Sequence, residues 1–398
     1  MNGKPILAEK VAWLLFCATS LQLAFLRPYL VLLPGEHTNL FSGLLCALSL
    51  AATAWAAKKA DIIRSQAQLA ICLILAVLIL LSGFHSVLPG ANSLRGLVLL
   101  ASGLGGFWGA RILLATEAKQ RSFLRLCLLM LSGILLVMLL SYLFSAKLTR
   151  FLDSNLHPLT TKVMLLWFAP LTLLWGRSGQ KILGAVLIGL SYLIFSVTEL
   201  RSTVLLPLIA GVLAIFCGAL RLKYFLLILL VSGVILFFFF RHLPLKKTGK
   251  EYEPAYYRVE NYVFSWHIAV QHPLLGIGLL TPRDEFLKDY VIKYPYVTRH
   301  QFSKSLKRII VADNMFLTFM VGVGFPFLLL YGFSLTTLFT RLVRSLGANP
   351  PATVIPPLAL LLPLVMALLS FFIFDILLHP QVCWFFHILL GLIPMNRE

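Results

Sequence analysis

The stretch His272-Pro273-Leu274-Leu275-Gly276-Ile277-Gly278 lies in the one long interruption of an otherwise apolar sequence. This interruption runs from Arg241 to Ala312 and carries 12 Lys/Arg against 6 Asp/Glu. Apolar runs of membrane-spanning length lie on both sides of it. The sequence therefore predicts N-terminal membrane helices at 1–240, a loop at 241–312 and C-terminal membrane helices at 313–398.

The composition of the 398-residue chain is typical of a membrane protein. Hydrophobic residues make up 59% of it and charged residues 12%, whereas a soluble domain has about 45–50% and about 25%. The net charge of +19 comes from short basic clusters between apolar runs, which indicates inner loops rather than a nucleic-acid-binding surface. All 6 cysteines lie within apolar runs without CxxC spacing, which is typical of packing residues.

Twelve apolar runs are long enough, or nearly so, to cross a membrane as helices of about 20 residues. They fall at 11–33, 39–57, 67–84, 96–115, 123–145, 160–175, 181–199, 203–220, 223–240, 313–340, 354–378 and 380–394. No small-residue cleavage site follows the first run, so we expect it to be retained as a span. The prediction is an all-α polytopic membrane protein with about 12 transmembrane helices.

Loop charge predicts the orientation of these helices. With the N-terminus in the cytoplasm, inner segments hold more Lys and Arg than the short outer loops. The basic residues assigned to outer loops are Arg27, Arg95, Lys147, Arg150, Lys162 and Arg201. The 241–312 loop is then outside. Its positive charge indicates an anionic ligand, such as a phosphate or pyrophosphate, or attraction to anionic lipid alone.

A short amphipathic helix is predicted within this loop over 262–270. Val263, Trp266 and Val270 share one face of it by their spacing of three and four residues. The proline and two glycines of the quoted stretch then stop the helix and permit a turn or a close approach of the backbone.

No phosphate-binding loop, dinucleotide fingerprint, HExxH or GxSxG motif is present, and the histidines lack metal-ligand spacing, so we expect no metal or cofactor. Ionisable residues near membrane depth are the better candidates. Glu199 and Arg201 lie between two apolar runs. They are either a solvated pair of opposite charges, or the arginine binds a phosphate group through two hydrogen bonds. Asp313 begins another run on the same side, and Asp375 with His379 is interpreted as a packed polar pair.

Three segments resemble the O-antigen ligase and polymerase superfamily of bacterial inner-membrane glycosyltransferases. The first is Leu200-Arg201-Ser202-Thr203, which opens an apolar run. The second is Arg258, followed by Trp266-His267-Ile268-Ala269 and the quoted stretch with Leu279. The third is Asp313-Asn314-Met315-Phe316-Leu317 with Gly322 and Gly324. The resemblance covers about 200–330.

This resemblance implies a GT-C-like fold that transfers a glycan from undecaprenyl pyrophosphate, without nucleotide or metal, at the periplasmic face. The acceptor would be lipid A–core in a ligase and another lipid-linked repeat unit in a polymerase. Membrane lipids would be further partners, and nucleic acid would not. Carried over to this sequence, Arg201 and Arg258 would bind the pyrophosphate. The other expected substrate-binding residues are Trp266, His272, Asn314 and Glu199.

Asp313 occupies the position at which the family has a histidine. An Asp is a weak base unless its pKa is raised, which burial would do and nearby arginines would oppose. Asp313 is therefore expected either to accept the proton of the acceptor hydroxyl or to orient a sugar hydroxyl, and Glu199 is the second candidate base.

Three competing interpretations remain at the level of sequence. A polymerase would differ from a ligase only in its acceptor. A transporter or flippase would favour internal repeats and broken helices near the middle of the membrane, and no repeat is found between the halves. A non-catalytic scaffold would leave the grouping of Arg201, Arg258 and Asp313 with the quoted stretch unexplained.

Overall fold

The computed structural model describes eight ranges of the chain and seven isolated residues. The ranges are 4–26, 35–57, 66–86, 88–144, 253–279, 314–346, 355–372 and 376–394, and the single residues are 171, 175, 179, 180, 183, 281 and 286. Every regular element in these ranges is helical. The α-helices, in chain order, are α1 Lys4–Leu21, α2 Gly35–Ala56, α3 Gln66–His85, α4 Pro89–Leu113, α5 Glu117–Phe144, α6 Glu253–Gln271, α7 Met315–Val323, α8 Phe325–Ser345, α9 Pro357–Phe371 and α10 Pro380–Gly391. A π-helical turn, Gln22–Leu26, follows α1, and a 3-10 turn, Ile376–Leu378, precedes α10.

Three of the described helices are long and apolar enough to cross a membrane: Leu7–Ala24, within α1 and its π-turn, α4 and α8. On α3, the large apolar side chains of Leu73, Val77 and Phe84 are exposed, as expected for a helix surface that contacts lipid. A soluble protein carries polar side chains on such faces. The protein is therefore a helical, membrane-associated protein. The runs predicted at 160–175, 181–199, 203–220 and 223–240 lie almost entirely outside the described residues.

Helix α10 forms the centre of the described core. All of its side chains are buried except His387, which is half-buried. A helix that is apolar all round belongs in a protein interior. With 12 residues, α10 is about 18 Å long, which is shorter than the hydrocarbon core of about 30 Å. The run predicted as the last span is thus a buried core helix that does not by itself have the length of a span.

Glycines on α4 let α10 approach closely. A Cβ atom added to Gly106 would lie 2.4 Å from the carbonyl oxygen of Trp384, and one added to Gly105 would lie 2.6 Å from the Trp384 ring. Small residues at helix interfaces permit this approach in membrane proteins. The indole Nε1 of Trp384 also donates a 3.0 Å hydrogen bond to Ser20 Oγ, which ties α10 to α1.

Two further predictions need correction. The run predicted at 313–340 is two helices, because the backbone of Gly324 has φ 100° and ψ 171° and α8 begins with Phe325-Pro326. A proline has no backbone N–H to donate to the turn before it, so α8 starts as a new helix instead of continuing α7. Arg95, predicted in an outer loop, lies in the second turn of α4, since Pro89 starts that helix earlier than hydropathy indicated.

The described helices have two distinguishable ends. Helix α3 ends at His85 and α4 begins at Pro89, so these two helices run antiparallel and share one end. At the other end of α4 lies Arg111. The side chains of Glu9 and Lys119 pair there, which joins the start of α1 to the start of α5. This grouping agrees with a common side for the N-terminus and the basic segment after α4.

Candidate functional site

Helix α6 is longer than predicted, and it packs by a face that the prediction did not name. It begins at Glu253, with Pro254 in its first turn, instead of at residue 262. Val263, Trp266 and Val270 do share a face, but that face is exposed. The packed face carries Phe264, Ile268 and Ala269, each fully buried, against Met320 and Val321 of α7. The prediction found the apolar stripe that faces outward and missed the one that anchors the helix.

The turn after α6 fills the break between α7 and α8. The backbone N–H of Ile277 donates to the carbonyl oxygen of Val321 at 2.8 Å, and that of Gly278 donates to Gly322 at 2.9 Å. In return, the N–H of Phe325 donates to the carbonyl oxygen of Pro273 at 2.8 Å. Carbonyls at a helix end have no partner within the helix. The quoted stretch supplies two of those partners.

Two glycines permit this close contact. Gly276 has φ 63° and Gly324 has φ 100°, values that residues with a Cβ atom rarely adopt. A Cβ atom on Gly276 would lie 2.4 Å from the carbonyl oxygen of Val321, and one on Gly324 would lie 2.3 Å from that of Leu274. Each glycine is therefore required both by its own backbone and by the chain that packs on it.

Buried polar side chains at the end of α3 and the start of α4 form hydrogen bonds to the same region. Ser82 Oγ donates to the carbonyl oxygen of Gly322 at 2.5 Å. Asn92 Nδ2 donates to Ser86 Oγ at 2.9 Å and to Thr281 Oγ1 at 3.2 Å. Because buried polar groups cost free energy unless they are hydrogen-bonded, this network fixes the turn to the N-terminal helices.

Asn314 shapes the start of α7. Its Oδ1 accepts a 3.1 Å hydrogen bond from the N–H of Leu317, which makes it the N-cap. Its Nδ2 donates to the carbonyl oxygen of Phe372 at 3.3 Å, and the hydroxyl of Tyr262 reaches the same oxygen at 3.4 Å. The shared acceptor holds α6, the start of α7 and the end of α9 at one corner.

The predicted site residues are only partly described. Arg258 lies within α6 by its backbone, one turn before Tyr262 and therefore on the same helix face. Asp313 immediately precedes the N-cap Asn314 but lies outside the described residues, as do Arg201 and Glu199. Asp375 lies outside them as well.

Trp266 and His272 flank the turn. The exposed Trp266 ring meets Phe325 edge-on with ring centroids 6.1 Å apart. The half-buried His272 meets the Phe286 ring at 5.3 Å. Burial lowers the pKa of His272, and positive charge on His85 lowers it further. A neutral imidazole at this position can accept or donate a hydrogen bond near pH 7.

Sequence reasoning missed the contribution of the N-terminal helices to this site. Arg95 is half-buried and donates to the carbonyl oxygen of Leu378 through Nη2. Its Nε is buried and finds no partner among the described residues. Ser82 and Asn92 were also missed. Their signal was available, because polar residues at the adjoining ends of two apolar runs often line a site.

The site offers hydrogen-bond donors, an exposed aromatic ring and a neutral histidine at one end of the helices. In the described part of the chain, no group of three or more potential metal-ligating side chains comes together. No model of a known protein family matches the sequence, and no curated protein matches it significantly. The resemblance given above therefore depends on the three quoted segments.

Proposed function

We propose that the protein is an O-antigen ligase-like glycosyltransferase of a bacterial inner membrane. It moves a glycan from undecaprenyl pyrophosphate to an acceptor sugar, such as that of lipid A–core, at the periplasmic face. Its N-terminus is cytoplasmic and the 241–312 loop is periplasmic. The protein thus serves lipopolysaccharide or related polysaccharide biosynthesis.

One observation carries this proposal. Two of the three segments on which the resemblance depends are in direct contact, through the hydrogen bonds that Ile277 and Gly278 donate to Val321 and Gly322. Segments joined in this way act as one structural unit. The corner formed by Tyr262 and Asn314 at the carbonyl oxygen of Phe372 brings the helix of Arg258 to the residue that follows Asp313.

The proposed reaction is a single displacement at an anomeric carbon. The oxygen of the acceptor hydroxyl forms the new bond to this carbon, and the bond to the pyrophosphate oxygen breaks, with its electron pair leaving on the pyrophosphate. The proton of the hydroxyl goes to the carboxylate of Asp313, the one base that the reaction needs, and the single displacement inverts the configuration at the anomeric carbon. Arg201 and Arg258 stabilise the charge that develops on the leaving group. Trp266 stacks on a sugar ring, and His272, Asn314 and Glu199 hydrogen-bond to substrate.

A transporter is disfavoured by the way the helix break is filled. Transporters with broken helices use the exposed carbonyls and N–H groups at the break to coordinate ions and substrates. Here the carbonyls of Val321 and Gly322 already accept hydrogen bonds from the chain, and those of Phe319 and Met320 accept from the N–H of Gly324. The break between α7 and α8 is thus occupied by the protein itself.

The test is complementation of a deletion strain, read from surface glycan on a gel. Arg201→Ala and Arg258→Ala are expected to abolish transfer while the protein remains at its normal level in the membrane. Arg344→Ala is the matched control, because Arg344 is exposed near the other end of α8. Near-normal transfer by the Arg201/Arg258 double variant would overturn the proposal. Loss of attachment to lipid A–core identifies a ligase, whereas loss of chain length identifies a repeat-unit polymerase.

A further inference from the structure

An apolar groove lies between four of the described helices. It has a cavity volume of about 340 Å³, which is within the range of about 300–1,000 Å³ for small-molecule sites. Its lining is mainly aliphatic and aromatic and comes from α3, α4, α8 and α10. Phe333 at the edge is exposed, so the groove is reached from the side that faces lipid. A membrane molecule therefore has both space in the groove and a route into it.

Tyr331 of α8 and His387 of α10 bring two polar atoms together inside this groove. Both side chains line it. The hydroxyl oxygen of Tyr331 lies 3.5 Å from Nε2 of His387, which is longer than the distance of about 2.7–3.2 Å that an effective hydrogen bond requires. Neither atom has another hydrogen-bond partner in the described part of the chain. The two groups are thus close to each other without satisfying each other.

A second hydrogen bond decides which atom of His387 can accept. Its Nδ1 lies 2.7 Å from the carbonyl oxygen of Cys383. Because a carbonyl oxygen only accepts, Nδ1 carries the hydrogen and donates it. In a neutral imidazole Nε2 then has no hydrogen and is an acceptor, and a charged imidazolium is costly among apolar side chains. The groove therefore presents an O–H donor on Tyr331 beside a nitrogen acceptor on His387.

The position of the Tyr331 ring is set by its aromatic neighbours. The ring stacks on Phe327, with 5.9 Å between centroids and 10° between the planes, and it meets Phe319 edge-on at 5.6 Å. A phenylalanine ring would make the same contacts. The hydroxyl is therefore not needed for packing, and burial of a hydroxyl costs free energy unless a partner binds it. A ligand in the groove would supply that partner.

The other hydroxyl groups that line the groove are already engaged. Ser334 Oγ donates to the carbonyl oxygen of Leu330 at 2.8 Å, and Thr337 Oγ1 donates to that of Phe333 at 2.8 Å. Both hydrogen bonds lie within α8, as is common for Ser and Thr inside a helix. Of these hydroxyl groups, that of Tyr331 is the one placed to bind a ligand.

We propose that this groove binds a neutral membrane lipid whose head is a free hydroxyl group, such as an isoprenoid alcohol or a diacylglycerol. The lipid hydroxyl accepts a hydrogen bond from Tyr331 and donates one to Nε2 of His387. Its chain lies along the apolar part of the groove toward Leu338, about 10 Å further along α8. A phosphate head fits less well, because its oxygens are acceptors and would meet the acceptor Nε2.

This binding does not rest on the proposed glycosyltransferase activity. The donor pyrophosphate is assigned to Arg201 and Arg258, whereas the lipid hydroxyl is bound by Tyr331 and His387. A ligand that binds the folded protein stabilises it against unfolding. A lipid in the groove fills the space between α3 and α8 and so stabilises the described core.

The test measures lipid retention by native mass spectrometry on the purified full-length protein in detergent, with the unfolding temperature as a second readout. The probes are phytanol, an isoprenoid alcohol, and dioctanoylglycerol, a diacylglycerol. Phytane, which has the chain of phytanol without the hydroxyl, is the matched control ligand. The wild type is expected to bind phytanol about tenfold more tightly than phytane. Whichever alcohol binds more tightly identifies the source of the lipid.

Three variants locate the site. Tyr331→Phe keeps the aromatic contacts and is expected to lower the affinity for phytanol about tenfold, with phytane binding unchanged. Thr337→Val is the control, because that hydroxyl is bound within its own helix, and it is expected to bind phytanol as the wild type does. Leu338→Trp leaves the polar pair in place and narrows the path of the chain, so it is expected to weaken binding of both phytanol and phytane.

The comparison of phytanol with phytane uses the wild type alone, so it decides the question even where a variant does not fold. Equal binding of these two ligands would overturn the proposal and would leave a water molecule as the partner of the polar pair. Unchanged phytanol binding by Tyr331→Phe, or by Leu338→Trp, would overturn it as well. Surface glycan production is measured separately, so its loss or retention does not affect this result.

Discussion

The backbone N–H of Gly278 donates a 2.9 Å hydrogen bond to the carbonyl oxygen of Gly322, and Ser82 Oγ donates to the same oxygen at 2.5 Å. This one acceptor joins the turn after α6, the end of α7 and the end of α3. Segments that are far apart in the chain therefore depend on one another for their geometry. Substitutions at this joint are expected to affect the whole candidate site.

Gly324→Ala tests the helix break. The backbone of Gly324 has φ 100° and ψ 171°, a region essentially confined to glycine, so alanine costs about 1–3 kcal/mol in strain. The Cβ atom would also lie 2.3 Å from the carbonyl oxygen of Leu274, which adds to the loss. We expect a clear fall in unfolding temperature, measured by thermal denaturation in detergent.

Gly332→Ala is the matched control for that substitution. Gly332 lies within α8, and a Cβ atom there would meet nothing within 4 Å. Alanine in a helix interior is favoured over glycine by about 1 kcal/mol, so this variant is expected to be as stable as the wild type or more stable. Equal stability of the two variants would refute the strained backbone at Gly324.

Asn314→Ala tests the N-cap of α7. Loss of the hydrogen bond from the N–H of Leu317 is expected to cost about 0.5–2 kcal/mol of stability. Asn314→Asp keeps an acceptor at this position and places a negative charge at the helix N-terminus, so it is expected to restore most of the lost stability. Unfolding curves of the three proteins in denaturant measure this difference. An Asp variant no more stable than the Ala variant would contradict the cap.

Trp266→Ala separates function from stability. The Trp266 side chain is 51% exposed, so its removal is expected to change the unfolding temperature little. Glycan transfer is expected to fall several-fold, because the exposed ring is assigned to a sugar. Val270→Ala, at an equally exposed position on the same face, is the control. Normal transfer by Trp266→Ala in the complementation assay would remove this residue from the substrate site.

The lowered pKa of His272 predicts that the stability of the protein depends on pH. Its pKa is lowered from the ordinary value of about 6.5 in the folded protein. The unfolded chain therefore binds the proton more readily, and the stabilising contribution is present above about pH 6.5 and is lost as the pH falls below it. His272→Gln is expected to reduce the fall in unfolding temperature between pH 7.5 and pH 5. An identical pH profile for variant and wild type would exclude this contribution.

Hydropathy predicted the helical class and the position of most described helices, because long apolar runs have few alternatives in a membrane. It did not predict the break at Gly324. An average over about 20 residues does not register a single glycine followed by Phe325-Pro326. It also counted α10 as a span, although the 12 residues of this helix are fewer than a span needs.

The parts of the candidate site that depend on local backbone conformation were predicted from the sequence. The parts that depend on packing between distant segments were not. The glycine turn after α6 followed from Gly276 and Gly278, since only glycine adopts those backbone angles freely. The hydrogen bond from Ser82 did not follow, because nothing in its neighbourhood encodes contact with a residue so far along the chain. The apolar face of α6 that contains Trp266 was recognised. Periodicity alone does not say whether that face or the one with Phe264 and Ile268 is buried.

The central position of α10 has a consequence for the order of assembly. A ribosome makes α10 after all the other described helices, yet its Trp384 fills the space over Gly105 and Gly106 of α4. Helix α4 is therefore synthesised before its main packing partner exists. Until α10 arrives, the glycine face of α4 is open to lipid or to other chains, and the final compact state forms only after translation of α10. A ribosome that stalls before α10 would leave a membrane-bound intermediate for quality-control proteases.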